Sequence, residues 1–206
     1  MDDPAAIWDQ RYSGGDRGTY EPWLDRWKTV LLGHGDQALE LGCGVGHDTE
    51  VLTSWGFEVT ALDVSQVAVG HSKRRNPGAV HRVMDLRKMG SLGGRFDVVV
   101  ASLSLHYFDR DDTAAIFQSI HGLLNPGGIL AFRVNAFDDV ESGAPGDAAT
   151  WERVSVDGVG KQFFTPEKIA AVLHGQWRIV SREKLNTWRY GHRKSLFEVI
   201  AQKHSE

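Results

Sequence analysis

Cysteine is almost missing from this chain: there is one, Cys43, in 206 residues. An intrachain disulfide is therefore impossible, cysteine-based zinc spacing is absent, and no metal site is expected. A lone thiol fits a reducing compartment. The opening Met-Asp-Asp-Pro has neither the basic stretch nor the apolar core of a secretion signal, so the expected location is cytoplasmic. Long hydrophobic runs are missing too: none approaches the ~20 residues that cross a bilayer, and a membrane is not an expected partner. There is no basic stripe. The 23 Lys and Arg are scattered and outnumbered by 27 Asp and Glu, for a net charge of −4, which argues against nucleic acid as a partner. Repeats and low-complexity segments are lacking. What remains is long enough to bury a substantial core without cross-links and reads as one domain over residues 1–206, its oligomeric state unknown.

Glycine, by contrast, recurs at alternate positions in Ala38-Leu39-Glu40-Leu41-Gly42-Cys43-Gly44-Val45-Gly46-His47, which reads as a buried strand turning sharply into a helix. Such a turn lets a ligand approach the backbone, and the N–H groups at the helix start suit an anion or a nucleoside. A dinucleotide fingerprint, G-x-G-x-x-G/A, does not fit, because His47 stands at its last position. Glu40, two residues before the first glycine, favours a ligand carrying positive charge over a pyrophosphate. Cys43 reads as a small residue filling the turn, not as a nucleophile. A second strand over 57–62 ends at Asp63, where a carboxylate beside the glycine turn can accept from both ribose hydroxyls of a nucleoside. A third strand, 79–83, is followed by Asp85-Leu86, able to accept from an adenine amino group and to offer a backbone N–H to the ring.

Around this centre the chain reads in order. Asp3-Pro4 opens a helix with Trp8 and Tyr12 on one face. Residues 13–18 are flexible, Tyr20 adds a further aromatic, and Trp23, Leu24, Trp27, Val30 and Leu31 mark a second amphipathic helix ending near Gly33. Val51, Leu52 and Trp55 line a helix stopped by Gly56. The apolar run 96–101 is a central parallel strand covered on both faces. A helix over 109–124 stops at Asn125-Pro126-Gly127-Gly128 before a strand at 129–134. Residues 135–164 break the alternation, with a hairpin about Asp157-Gly158, and read as a lid. Thr165-Pro166-Glu167 opens a helix burying Ile169, Val172 and Leu173. The last strands, 177–183 and 196–201, pair antiparallel across a polar and aromatic connection at 186–193.

Taken in order, Glu40-Leu41-Gly42-Cys43-Gly44-Val45-Gly46, Asp63, Asp85-Leu86, Phe96-Asp97-Val98-Val99 and Leu124-Asn125-Pro126-Gly127-Gly128 resemble the motif series of class I S-adenosylmethionine-dependent methyltransferases. The resemblance covers residues 36–135, and the terminal strand pair matches that family's sheet. Trp8-Asp9-x-Arg11-Tyr12 with Glu21-Pro22-Trp23-Leu24 is similar to the small single-domain branch that includes tellurite-resistance and thiopurine methyltransferases. The resemblance implies an α/β, Rossmann-like, doubly wound fold: a mostly parallel seven-stranded sheet with an antiparallel C-terminal hairpin. N-terminal aromatic helices would occupy 1–35, the cofactor-binding core 36–135, the lid 135–164, and the last helix and strand pair 165–206. S-adenosylmethionine would be the cofactor, S-adenosylhomocysteine the product, and a small molecule the acceptor. Gly42 and Gly44, with Cys43 between them, would pass the methionine part, and Glu40 would support the turn. Asp63 would hold the ribose, Val64 would pack on adenine, Asp85 and Leu86 would read its edge, and Ala101 and Ser102 would contact the amino-acid end. Ser102-Leu103-Ser104-Leu105 replaces the Asn/Asp-Pro-Pro-aromatic motif of enzymes that methylate base amines, which argues against that substrate.

Methyl transfer from a sulfonium is an in-line displacement on an activated carbon, so the protein mainly aligns nucleophile and methyl. Tyr12, with Trp8 and Tyr20, can stabilise the sulfonium charge by cation–π attraction and exclude water. A hydroxyl acceptor needs a base, for which His106 is the candidate because its pKa can sit near neutrality. Trp8, Tyr20, Tyr107, Trp151 and His192 are the expected acceptor contacts, and His192 with Arg193 could hold an anionic one. The alternative is a protein that binds the cofactor without transferring its methyl, for regulation or another use of the sulfonium.

Overall fold

The computed structural model describes residues 3–14, 20–145, 150–189 and 191–205. Most of the stretch expected to be flexible (15–18), residues 146–149 of the expected lid, and Tyr190 lie outside these.

Helix α1 (Pro4–Ser13) starts where Asp3 accepts from the Ala5 N–H, with proline in the first turn. The second expected helix is cut short. A 3-10 turn over Asp25–Trp27 leads into α2 (Lys28–Leu32), because Trp23 is drawn instead to the glycine turn, its indole N–H donating to both carboxylate oxygens of Asp48 (3.1 and 3.0 Å). Then follow β1 (Gln37–Leu41), α3 (His47–Ser54), β2 (Glu58–Asp63), α4 (Gln66–Arg75), β3 (Val80–Val83), β4 (Phe96–Ser102), α5 (Arg110–Leu123), β5 (Leu124–Asn135), the hairpin β6–β7 (Val154–Val156, Val159–Lys161), α6 (Pro166–Val172), β8 (Trp177–Arg189) and β9 (His192–Lys203).

Seven strands form one sheet in the order β3-β2-β1-β4-β5-β9-β8, parallel except for β9, which runs antiparallel to both neighbours. Alternate residues of each strand feed two cores. Ala38, Val59, Ala61, Val98 and Val100 pack with Leu31 and Leu52 on one face, while Leu39, Leu41, Val99 and Leu130 pack with Ile116 and Ile120 of α5 and Ile169 of α6 on the other. Helices on both faces of a mostly parallel sheet make the doubly wound architecture.

The expected connection at 186–193 is not a loop. Its residues continue the β8–β9 ladder as Asn186↔Ser195, Thr187↔Lys194 and Trp188↔Arg193. Backbone pairing does not need apolar side chains, so the ribbon runs past its buried part and leaves Trp188 76% exposed. The hairpin expected about Asp157-Gly158 is present, both residues having the positive φ of a two-residue turn (51° and 76°).

Candidate active site

The order of the strands reverses between β1 and β4, and in doubly wound sheets ligands bind at the carboxyl ends beside that switch. Here the ends of β1, β2, β4 and β5 open into a cleft of about 1050 Å³. The turn after β1 is tied to β2 by Gly42 and Cys43 N–H groups donating to the Leu62 carbonyl (2.8 and 2.9 Å). Gly44 N–H donates to Asp63 Oδ2 (2.9 Å), and Ser65 N–H donates to Asp63 Oδ1 (2.9 Å). Gly44 has φ +53°, and a Cβ there would approach the Tyr12 hydroxyl to 2.9 Å, so the glycine lets α1 close on the turn. Helix α1 is docked by Asp9, whose carboxylate accepts from the Ser65 hydroxyl (2.6 Å) and the Val67 N–H (3.1 Å) at the start of α4. Beyond β4, Leu103 adopts φ +56°, a strained conformation for leucine, and its N–H donates to the Arg133 carbonyl (2.9 Å).

The glycine end is acidic. Glu40 is buried and accepts from the Thr49 hydroxyl. Burial, with Asp48 and then Asp63 nearby, pushes its pKa well above the ordinary carboxylate value. Burial likewise raises Asp63, although N–H donors at Ser65 and Gly44 oppose it. Three carboxyls, Glu40, Asp48 and Asp63, thus lie at one end of the cleft. The same surroundings keep Cys43 protonated: burial, then Glu40 and Asp63, raise its thiol well above the usual range. Iodoacetamide should therefore alkylate Cys43 in the native protein no faster than the protein unfolds, and rapid native labelling would contradict the inert reading. Tyr20 is also held protonated, first by burial and then by Asp48, and its buried hydroxyl has no partner among the described residues.

The far end is basic and aromatic. Trp8 meets Tyr107 edge-on (centroids 5.0 Å), and His106 lies beside Tyr107 (4.3 Å). The hairpin is anchored here: Gln162 N–H donates to the His106 carbonyl (2.7 Å), and Arg11 of α1 donates to the Asp157 carbonyl (2.8 Å). His106 is buried, and its Nδ1 has no partner among the described residues. Burial first, then Lys194 and Lys161, push its pKa well below the usual value, not toward neutrality as expected from its position alone. The imidazole is neutral across the physiological range.

Of the expected site residues, Trp8, Tyr12, Tyr20, Glu40, Gly42, Cys43, Gly44, Asp63, Val64, Asp85, Leu86, Ser102, His106, Tyr107 and His192 all line this one cleft. Ala101 does not. It is fully buried among Leu39, Val99 and Phe132, because strand alternation turns it into the core one residue before the cleft begins. Trp151 is also outside, edge-on to Phe164 (6.2 Å) under the Lys168 ammonium (5.4 Å). Asp85 lines the cleft with its carboxylate already engaged by the Arg87 side chain and N–H; burial would raise its pKa, but these bonds outweigh it and hold it low.

Arg133 escaped the sequence reading. It is 1% exposed at the end of β5, donates to Ser102 Oγ (2.9 Å), pairs with Glu21 (2.9 Å), and lies over the Trp23 ring (4.6 Å). A lone charge inside the apolar strand Ile-Leu-Ala-Phe-Arg-Val was the available signal. Asn135, Lys161 and Lys194 were missed as well; they come from separate segments and had none.

A switch-point cleft with an acidic glycine turn and a carboxylate closing β2 defines a class I, S-adenosylmethionine-dependent methyltransferase fold. The profile described as a methyltransferase domain matches residues 17–176, and the chain belongs to that family. It is 27% identical over 139 residues to malonyl-[acyl-carrier protein] O-methyltransferase of Enterobacter lignolyticus, covering 68% of this chain and 53% of that protein. It is 28% identical over 109 residues to trans-aconitate 2-methyltransferase of Delftia acidovorans, covering 51% of this chain and 40% of that protein. The chain spans about half the length of the curated relatives it matches. Among solved structures, the N-methyltransferase NodS of Bradyrhizobium japonicum in complex with S-adenosylhomocysteine superposes with TM-score 0.69 at 20% identity, over 98% of this chain and 99% of that one. S-adenosylmethionine is accordingly the cofactor and S-adenosylhomocysteine the product.

Proposed function

We propose that this chain transfers a methyl group to a small-molecule acceptor, O or S in its nucleophile, by in-line displacement. The observation that carries the proposal is the acidic end of the cleft, where Glu40 and Asp63 are buried without a cationic side chain bonded to either among the described residues. Leaving such carboxyls unmatched is costly unless a ligand brings positive charge. S-adenosylmethionine supplies a methyl group on a positively charged sulfur. Glu40 supports the glycine turn, Asp63 holds it through Gly44 and accepts from the ribose, and Tyr12, Trp8 and Tyr20 exclude water. Val64 and Leu86 give apolar contact to the adenine, while Asp85 reads its edge by exchanging its Arg87 partner. The cleft volume of about 1050 Å³ exceeds what one drug-sized ligand fills, roughly 300–1,000 Å³. A second small molecule therefore fits beside the cofactor, roofed by α1 and the β6–β7 hairpin as a lid. The lone unpaired Cys43 supports a cytoplasmic place of action. Among the described residues no helix is long and apolar enough to cross a membrane.

Titration calorimetry tests the proposal. S-adenosylhomocysteine should bind saturably at one site per chain, and the protein should release it from S-adenosylmethionine when an acceptor is present. A flat titration would overturn the cofactor reading. Saturable binding without product from any acceptor would favour cofactor binding without transfer.

A further inference from the structure

The cleft is polarised, with carboxyls at the glycine turn and cationic side chains elsewhere on its wall. Opposite the carboxyls, Arg11, Arg153 and Lys161 line the wall, and among the described residues none of the three makes an ion pair with a carboxylate. Arg11 and Arg153 spend donors on the carbonyls of Asp157 (2.8 Å) and Tyr107 (3.2 Å). The ammonium of Lys161, half-buried at the end of the hairpin, has no hydrogen bond among the described residues; burial, then Arg11, lower its pKa, and Asp157 and Asp139 oppose them. Of the acids that act on this end, Asp139 is engaged by Lys194 (3.2 Å) and Glu141 accepts from the Arg193 N–H (3.0 Å), while Asp157 faces Lys161 and makes no ion pair with it among the described residues. Asn135, fully buried at the tip of β5, has no partner for either side-chain amide atom among the described residues, nor has Nδ1 of His106, which lines the same cleft. Buried polar groups are almost always satisfied, so orphaned atoms lining the same cleft as an ammonium without an ion pair point to a polar ligand there.

We infer that this end is an anion subsite and that the methyl acceptor is an organic carboxylate, held by Lys161 and Asn135 through one oxygen while the other acts as nucleophile. The inference rests on the methyl-transfer reading above and adds the acceptor's chemistry to it. A hydroxyl acceptor would need a base, and the neutral, poorly basic His106 beside two lysines is a weak one. A carboxylate arrives ionised. Its oxygen forms the new O–CH₃ bond as the S–CH₃ bond breaks, the electron pair stays on sulfur, the two opposite charges cancel, and no proton moves. The product is a methyl ester. The opposite poles of the cleft thus sort their ligands: a cation is favoured at the glycine turn and an anion at Lys161.

Calorimetry with glutarate and tricarballylate, against their neutral methyl esters, tests this on the protein both alone and loaded with S-adenosylhomocysteine. The acids should bind and the esters should not. Lys161→Gln should weaken the acids about tenfold, the worth of one charge-assisted hydrogen bond, while S-adenosylhomocysteine binds as before, and Lys161→Arg should restore the acids. With S-adenosylmethionine, the acids should yield a methyl group that mild alkali releases as methanol. Acids that bind no better than esters, or a Lys161→Gln protein that binds them unchanged, would overturn the carboxylate subsite. Because the acid titrations are also run without cofactor, a failure of S-adenosylhomocysteine to bind counts against the cofactor reading alone.

Discussion

Asp63→Ala weakens S-adenosylhomocysteine binding about a hundredfold, the worth of two hydrogen bonds to a charged acceptor at roughly 1.5 kcal/mol each. Asp63 does two jobs in the structure. Its carboxylate accepts from Gly44 and Ser65 N–H groups, which shapes the glycine turn, and it closes β2 where the ribose hydroxyls are proposed to lie. Asp63→Asn keeps a carbonyl acceptor and should lose only about tenfold, which separates charge from shape. Thermal melting of the unliganded variants shows how much of the loss is turn distortion. Binding to wild type should also tighten as pH rises. Burial keeps the pKa values of Glu40 and Asp63 above their ordinary range in the unliganded protein, and a bound cation favours the ionised form, so binding releases protons and weakens as pH falls. The same raised values act on folding with the opposite sense. Stability present below the ordinary carboxylate range is lost as pH rises through the folded values, because the unfolded chain gives up these protons first. Affinity unchanged in Asp63→Ala, or constant over pH 5–8, would contradict the assignment.

Gly46→Ala costs about 3 kcal/mol of stability and lowers the melting temperature by about 10 °C, the sum of backbone strain and overpacking. Gly46 has φ +87°, where an L side chain is strained, and it caps α3 against α4. A Cβ there would come within 2.9 Å of the Ser72 Cα and 2.7 Å of the Asn76 amide nitrogen, whose NH₂ group donates to the Gly46 carbonyl (2.8 Å). Backbone on α4 cannot yield as a flexible side chain would. Gly56→Ala is the control: φ is +95° but nothing lies within 4 Å of the added carbon, so it should cost about 1 kcal/mol from strain alone. Differential scanning calorimetry of the two variants decides it. Equal losses would mean that the α3–α4 contact carries no weight, and Gly46 would then be conformational only.

Much of this was legible along the chain because its causes are local. The run 38–41 ending in glycines, the Thr165 cap and the Asp157-Gly158 turn depend on neighbours within a few residues. Where the reading failed, a distant partner intervened. Trp23 has helical spacing with Trp27 and Leu31 but is held by Asp48, 25 residues away, and the helix begins only at Lys28. The 186–193 stretch looks like a loop because it is polar, yet it pairs strand to strand.

The sequence by itself determined the alternation of strands and helices, the glycine turn with Glu40, and the carboxylate of Asp63 at the end of β2. Hydrophobic period, caps and turn residues encode each of these within a short window. Only the tertiary structure decided what the cleft contains. It excluded Ala101 and Trp151, buried Arg133 against Glu21, and gathered Arg11 of α1, Asn135 of β5, and Arg153 and Lys161 of the β6–β7 hairpin into the cleft that the carboxyls line. Period tells which face of a strand is covered; the order in which strands lie side by side, set by long-range pairing, tells which side chains meet.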